Sequence, residues 1–303
     1  STEHFVLSAI EKYLEWVHLH ERNKLTQKQL DVATKSLKLL KRKYRDNLIE
    51  KLDVLRQEDA IRSIKHEQLS IQASITSITA GLALLSNKDP ELFSLPELSL
   101  NTPIPINKTL TFSATKAARL FESKTKFTKL QQQQLLETKK SNLDLGLTYG
   151  ILSGDNSFND SLNFDKHDQR VSLVYTKKLQ NRSLTKELEN INHELEKINA
   201  QKNEHNVNFN IEKKTLLSQI KSYNDIIELS KRQLQSNTDT LTEEKRLYYI
   251  GKSNLTFVLQ AETNLHRAQS QHIQHLYNFQ RLHIQYLTLT DTLLSRYLPM
   301  SIL

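Results

Sequence analysis

Tyr44-Arg-Asp-Asn47-Leu-Ile-Glu-Lys-Leu-Asp53-Val54-Leu55-Arg-Gln-Glu58 and Tyr248-Tyr-Ile-Gly251-Lys-Ser-Asn-Leu-Thr-Phe257-Val258-Leu259-Gln-Ala-Glu262 are two copies of one motif, 204 residues apart. The tyrosine, the Asn/Gly position, the Val-Leu pair and the glutamate keep the same offsets in both. Repetition over such a distance marks a duplicated structural unit. Asn and Gly enter the left-handed backbone region that ends helices more easily than other residues do. Each copy therefore predicts a break between two helices.

Apolar seams lead away from both breaks. Leu30, Ala33, Leu37, Leu40 and Tyr44 step by three and four, which predicts a helix from about residue 4 to 46. Ile71, Ile75, Ile78, Leu82 and Leu85 keep that rhythm in a second helix over about 50–86. Leu184, Leu188, Ile191, Leu195 and Ile198 open a third seam, resumed at Ile220, Tyr223 and Ile227. It predicts a helix from near 180 to about 247, on the order of 100 Å long at about 1.5 Å per residue. Beyond Gly251 a return helix to about 296 carries Phe279, Leu282, Tyr286 and Leu289.

The middle of the chain differs. Four of the five prolines, Pro90, Pro96, Pro103 and Pro105, lie in 87–112, which reads as a linker. A Gln- and Lys-rich helix is expected over 113–141. Then Leu143, Leu145, Leu147, Tyr149 and Ile151 alternate with Asp144, Gly146, Thr148 and Gly150, and Val171, Leu173 and Tyr175 alternate with Ser172, Val174 and Thr176. Period two predicts strands, Leu143–Leu152 and about Gln169–Leu179, joined by a long polar loop. The expected organisation is a first helical hairpin over 1–86 with its tip near 44–58, a linker over 87–112, a helix over 113–141, a β-hairpin over 142–179, and a second helical hairpin over 180–303 with its tip near 248–262.

Composition narrows the function. Five glycines and five prolines in 303 residues leave room for few turns, so the helices must be long. A hydrophobic share of 37% supports narrow helix-to-helix seams rather than a thick core. The net charge of +8 permits an anionic partner, but the basic residues are spread among 34 acidic ones. The densest run, Lys38 to Arg45, reads as a solvated helix face, and no nucleic-acid partner is expected. There is no cysteine, hence no disulfide framework and no thiolate zinc site. No stretch reaches 18 uninterrupted apolar residues, so no transmembrane helix is expected. His266, His272, His275 and His283 have no carboxylate cluster to complete a metal site. No phosphate loop, nucleophile elbow or HExxH occurs, and Glu243 and Glu244 read as solvated helix charges. Neither enzymatic activity nor a cofactor is expected.

The two tip motifs in register with a mid-chain strand pair resemble the TolC-like outer-membrane efflux family, over essentially the whole chain. The Lys-Ser-Asn-Leu-Asp-Leu-Gly-Leu-Thr-Tyr-Gly run at 140–150 looks like that family's third strand. The resemblance implies a mainly helical protomer with a small β part. The protomer forms a homotrimer whose helices build a tapered α-barrel in the periplasm and whose strands build a β-barrel in outer-membrane lipid. The family usually has two β-hairpins, and the helix opening this chain matches the helix after the first. That first hairpin is therefore expected to be absent from this chain. The implied function is an exit duct for efflux or type I secretion, opened at its tips by a periplasmic adaptor and an inner-membrane transporter.

Residue by residue, Tyr248 matches the family's gating tyrosine and Asp53 its acidic partner on the first tip, with Tyr44 at the repeat position. The usual gating arginine falls at Ser253, beside Lys252. Phe257 and Gln260 stand where constriction aspartates often stand, which replaces a cation-binding ring by an apolar one. Asn47, Leu48, Ile49 and Gly251 match the adaptor-docking turns. The same residues also read as ordinary helix-tip packing. A soluble coiled-coil scaffold without a pore is the alternative reading. It accounts for the seams but not for the matched tips or the embedded hairpin.

Overall fold

The computed structural model describes residues 2–90, 93, 100, 104–138, 140–152, 166–177 and 182–294. Five helices and one strand pair follow in chain order: α1 (Thr2–Arg45), α2 (Lys51–Ser86), α3 (Lys116–Glu137), β1 (Asn142–Leu152), β2 (Lys166–Thr176), α4 (Arg182–Tyr249) and α5 (Leu255–Leu289). The architecture is the expected one, mainly helical with a small antiparallel β part. The chain divides into two compact units, residues 1–111 with 209–303, and residues 112–208. α4 contributes to both.

The first unit holds α1, α2, α5 and the C-terminal part of α4. Its main core gathers Leu14, Trp16, Val17, Leu82, Ile227 and Ile284, so the four helices share one apolar centre. A fully buried side chain of this kind contributes about 1.5–3 kcal/mol. Trp16, Gln280 and Tyr286 each place a buried donor on a partner, as burial favours. The Trp16 indole donates to Thr79 Oγ1 at 3.0 Å, Gln280 Nε2 to the Leu100 carbonyl at 2.8 Å, and the Tyr286 hydroxyl to the Asn107 carbonyl at 2.8 Å. The last two pin the Pro-rich linker onto α5. A second core, Leu40, Val54, Leu255 and Val258, lies under both turn motifs.

The second unit holds α3, the hairpin and the start of α4. Phe121 and Ala118 of α3 are buried, with the His205 ring 5.2 Å from that of Phe121. Gln132 donates to Asn192 at 2.7 Å. β1 and β2 pair over 11 residues each, from Asn142↔Thr176 to Leu152↔Lys166. The register sets Leu143, Leu145 and Leu147 against Tyr175, Leu173 and Val171 on one face. These side chains are exposed.

Several boundaries differ from the periodicity. α3 is shorter than 113–141, because Phe112–Ala114 form a 3₁₀ turn and the Thr115 hydroxyl caps the helix by accepting the Ala118 N–H at 3.2 Å. β2 begins at Lys166 rather than Gln169, because His167 and Lys166 complete the ladder opposite Ile151 and Leu152. It ends at Thr176 rather than Leu179, and residues 178 and 179 lie outside the described ones, as does 153–165 of the polar loop. α5 ends at Leu289 rather than 296. There the Thr290 hydroxyl bonds back to the Tyr286 carbonyl at 2.9 Å and Asp291 turns left-handed at φ 55°.

Candidate functional site: the paired helical tips

The repeated motif is repeated geometry. Asn47 and Gly251 both take positive φ, 57° and 71°. In the first turn Leu48 N–H reaches back to the Lys43 carbonyl at 2.8 Å and Asn47 N–H to Tyr44 at 3.0 Å. In the second, Lys252 N–H reaches Leu247 at 2.9 Å and Gly251 N–H reaches Tyr248 at 3.1 Å. This double closure satisfies carbonyls that the helix end would leave orphaned. The next helix starts alike in both copies: Asp53 N–H to Glu50 and Phe257 N–H to Asn254, each at 3.1 Å. Only the second start has a side-chain cap, Asn254 Oδ1 accepting from Thr256 N–H at 3.1 Å.

Each hairpin is also clamped by an ion pair at repeat-related positions. Lys41 Nζ lies 2.7 Å from Glu58 Oε1, and Lys245 Nζ lies 2.9 Å from Glu262 Oε1. The glutamates close the motif in the sequence, but their lysine partners went unread. Lys41 and Lys245 share the 204-residue offset, and that was the available signal.

Arg56 is the third residue that the sequence did not reveal. Its Nη1 donates to Thr256 Oγ1 at 3.0 Å, joining the first tip to the second, and lies 3.9 Å from Asp53 Oδ1. Tyr248 is half-buried with its ring under the Lys43 ammonium at 4.5 Å, a cation–π contact. Its hydroxyl is buried and finds no hydrogen-bond partner among the described residues. Burial raises the phenol above its ordinary pKa, and the Asp53 carboxylate adds to the rise. Asp53 and Tyr248 thus feel each other electrostatically, while no hydrogen bond joins them within this chain.

The remaining residues take distinct places. Tyr44, Asn47, Leu48, Lys252, Phe257 and Gln260 are exposed. Ile49 packs on the tip core. The Ser253 hydroxyl donates to Glu244 Oε2 at 2.7 Å, so Glu244 has a structural partner. Gln260 donates to Asn264 along its own helix at 3.1 Å. The histidines are engaged elsewhere: His272 Nδ1 lies 2.6 Å from Ser230 Oγ and His283 Nδ1 2.8 Å from the Phe279 carbonyl.

This arrangement belongs to a known fold. The outer-membrane protein VceC of Vibrio cholerae is similar over 95% of this chain and 70% of its own, with TM-score 0.73 and 17% identity. The open-state MtrE outer-membrane channel of Neisseria gonorrhoeae is similar over 96% and 67%, with TM-score 0.70 and 14% identity. The CmeC outer-membrane channel of Campylobacter jejuni is similar over 96% and 63%, with TM-score 0.68 and 11% identity. No protein-family model and no curated protein matches the sequence. The chain therefore has the TolC-like fold of outer-membrane channel proteins. It spans about two thirds of the length of the channels it resembles, between 63% and 70% in these three.

Proposed function

We propose that this chain is the channel subunit of an outer-membrane exit duct for efflux or type I secretion. It works as a homotrimer. Its helices stand in the periplasm and β1–β2 stands in the outer membrane. A periplasmic adaptor and an inner-membrane transporter open it at the tips. The observation that carries this reading is the tip repeat itself: two hairpin ends with the same turn geometry and the same ion pair over one small core. A scaffold needs only the seams, whereas a gate needs matched ends that can move as units.

Two surfaces support the same reading. A strand pair with six apolar side chains exposed on one face, Leu143, Leu145, Leu147, Val171, Leu173 and Tyr175, is unstable in water, and 11 residues per strand suffice to span hydrocarbon. Residues 68–87 of α2 and its cap carry no charge, and Leu69 and Leu84 are 66% and 85% exposed. By length and composition alone α2 could cross a membrane. Its interleaved Ser, Thr and Ala fit close contact with a neighbouring copy instead. At the tips, Asp53 of one hairpin and Tyr248 of the other form the latch. The unpartnered Tyr248 hydroxyl is free to donate to a carboxylate, a bond strengthened by the acceptor's charge. Lys252 and Ser253 flank it. Phe257, 59% exposed in the protomer, lines the constriction with Gln260. Asn47, Leu48, Ile49 and Gly251 meet the adaptor. Transport energy comes from the inner-membrane transporter.

The test is the mass of the protein in mild detergent by light scattering, with ion conductance in planar bilayers. A conducting trimer supports the duct. A soluble monomer or dimer without conductance replaces it with the coiled-coil scaffold.

A further inference from the structure

The two tips share a backbone but not a charge. Over 38–58 the first carries seven cationic and four anionic side chains, and over 242–262 the second carries three of each. The second tip is also internally neutralised: Arg246 forks onto Glu243 at 2.6 and 2.9 Å. On the first tip, Lys38, Arg42, Arg45 and Lys51 make no ion pair among the described residues and are exposed.

These four line one open groove of about 750 Å³ along the α1–α2 hairpin. Its floor is apolar, with Val54 and Leu55. The one carboxylate in it, Glu58, is already held by Lys41. A stripe of hydrocarbon between rows of unpaired cations is complementary to one kind of surface: an amphipathic helix with carboxylates beside its apolar stripe. Four like charges around a dry floor also repel one another until an anionic surface covers them. The repeat-related positions of the second tip are Thr242, Arg246, Tyr249 and Leu255, which leave it without this feature.

We infer that the groove on the first tip is an asymmetric docking site for an acidic amphipathic helix of the adaptor, held by Lys38, Arg42, Arg45 and Lys51 over Val54 and Leu55. The inference rests on the tips being the docking end of a duct. It adds the partner's charge and gives the first hairpin a docking groove that the second lacks.

The experiment uses the full chain in mild detergent and a fluorescein-labelled amphipathic helical peptide. The peptide has a leucine stripe flanked by glutamates, and its twin carries glutamine in their place. Fluorescence anisotropy is expected to give about tenfold tighter binding of the glutamate peptide, with the advantage fading as salt shortens the screening length. Arg42→Glu/Arg45→Glu and, independently, Lys38→Glu/Lys51→Glu should each remove the preference at unchanged helix content. Arg246→Glu on the second tip should leave it intact. Equal binding of the twin peptides, or an equal loss in Arg246→Glu, overturns the inference. Conductance of the same samples separates the two ideas. A conducting trimer with no glutamate preference sinks the groove assignment and leaves the duct. A non-conducting chain that keeps the preference sinks the duct and leaves the groove's charge selectivity.

Discussion

The two ion pairs form an experiment with its own internal control. They occupy the same repeat position and have nearly the same length, 2.7 and 2.9 Å, but differ in burial. The Glu262 side chain is 11% exposed and that of Glu58 is 32% exposed. Breaking a fully buried pair costs about 3–5 kcal/mol because a charge is stranded. Breaking an exposed one costs about 0.2–1 kcal/mol. Lys245 reaches solvent, so Lys245→Met falls between these limits, at about 2 kcal/mol, while Lys41→Met costs about 0.5 kcal/mol. Amide hydrogen exchange reads such local opening directly. Amides around Glu262 should exchange about 30-fold faster in Lys245→Met, and those around Glu58 about twofold faster in Lys41→Met. The double variant Lys245→Met/Glu262→Met should recover most of the protection, because no stranded charge remains. Equal acceleration in the two hairpins, or no recovery in the double variant, would refute the burial argument.

Gly251→Ala should cost about 1–2 kcal/mol, the strain of a left-handed alanine alone, since a Cβ there meets nothing within 4 Å; a thermal melt in detergent measures it. Acid should destabilise the first unit. His18 is buried and stacked on Tyr277 at 4.6 Å, and desolvation, helped by the nearby Arg22 charge, lowers its pKa to about 4. Because the folded pKa lies below the unfolded one, this site's contribution is complete above about pH 6.5. It is lost as pH falls toward 4, up to about 3 kcal/mol. Melts of His18→Phe against the parent between pH 7 and 4 check the sign, and a parent that gains stability on acidification contradicts it. Leu147→Arg, on the apolar face of β1, should abolish membrane insertion while leaving tip-amide exchange unchanged, because a lipid-facing cation costs about 2–4 kcal/mol near the bilayer midplane. Normal insertion of that variant would turn the face away from lipid.

Local repetition made most of the fold readable. Steps of three and four along Leu37, Leu40 and Tyr44 could only be a helix seam, and Leu143 to Ile151 alternated too strictly for anything but a strand. Asn47 and Gly251 named the turns because so few residues tolerate positive φ. The misread boundaries are set by local backbone turns, such as the left-handed Asp291 with Thr292 N–H on the Leu287 carbonyl, which stops α5 where apolar spacing would continue it. Long-range polar partners were equally hidden. Nothing near Gln280 or Tyr286 indicates that they anchor the linker carbonyls of Leu100 and Asn107. Arg56 was invisible for another reason: a long side chain reaching from one hairpin to Thr256 of the other leaves no periodic trace. Tyr248 and Asp53 were legible as two tip positions, while the lack of a hydrogen bond between them needed coordinates.

If the protein is a duct, its tips enclose a pore. The chain has no cysteine, so Phe257→Cys places a single thiol per protomer where the constriction is proposed. The measurement is single-channel conductance of that variant before and after a bulky water-soluble thiol reagent, beside the cysteine-free parent. Phe257→Cys should show a steep, reducible block and the parent no response. A conductance that ignores the reagent in both, or no conductance at all from a correctly folded trimer, contradicts a pore at the tips.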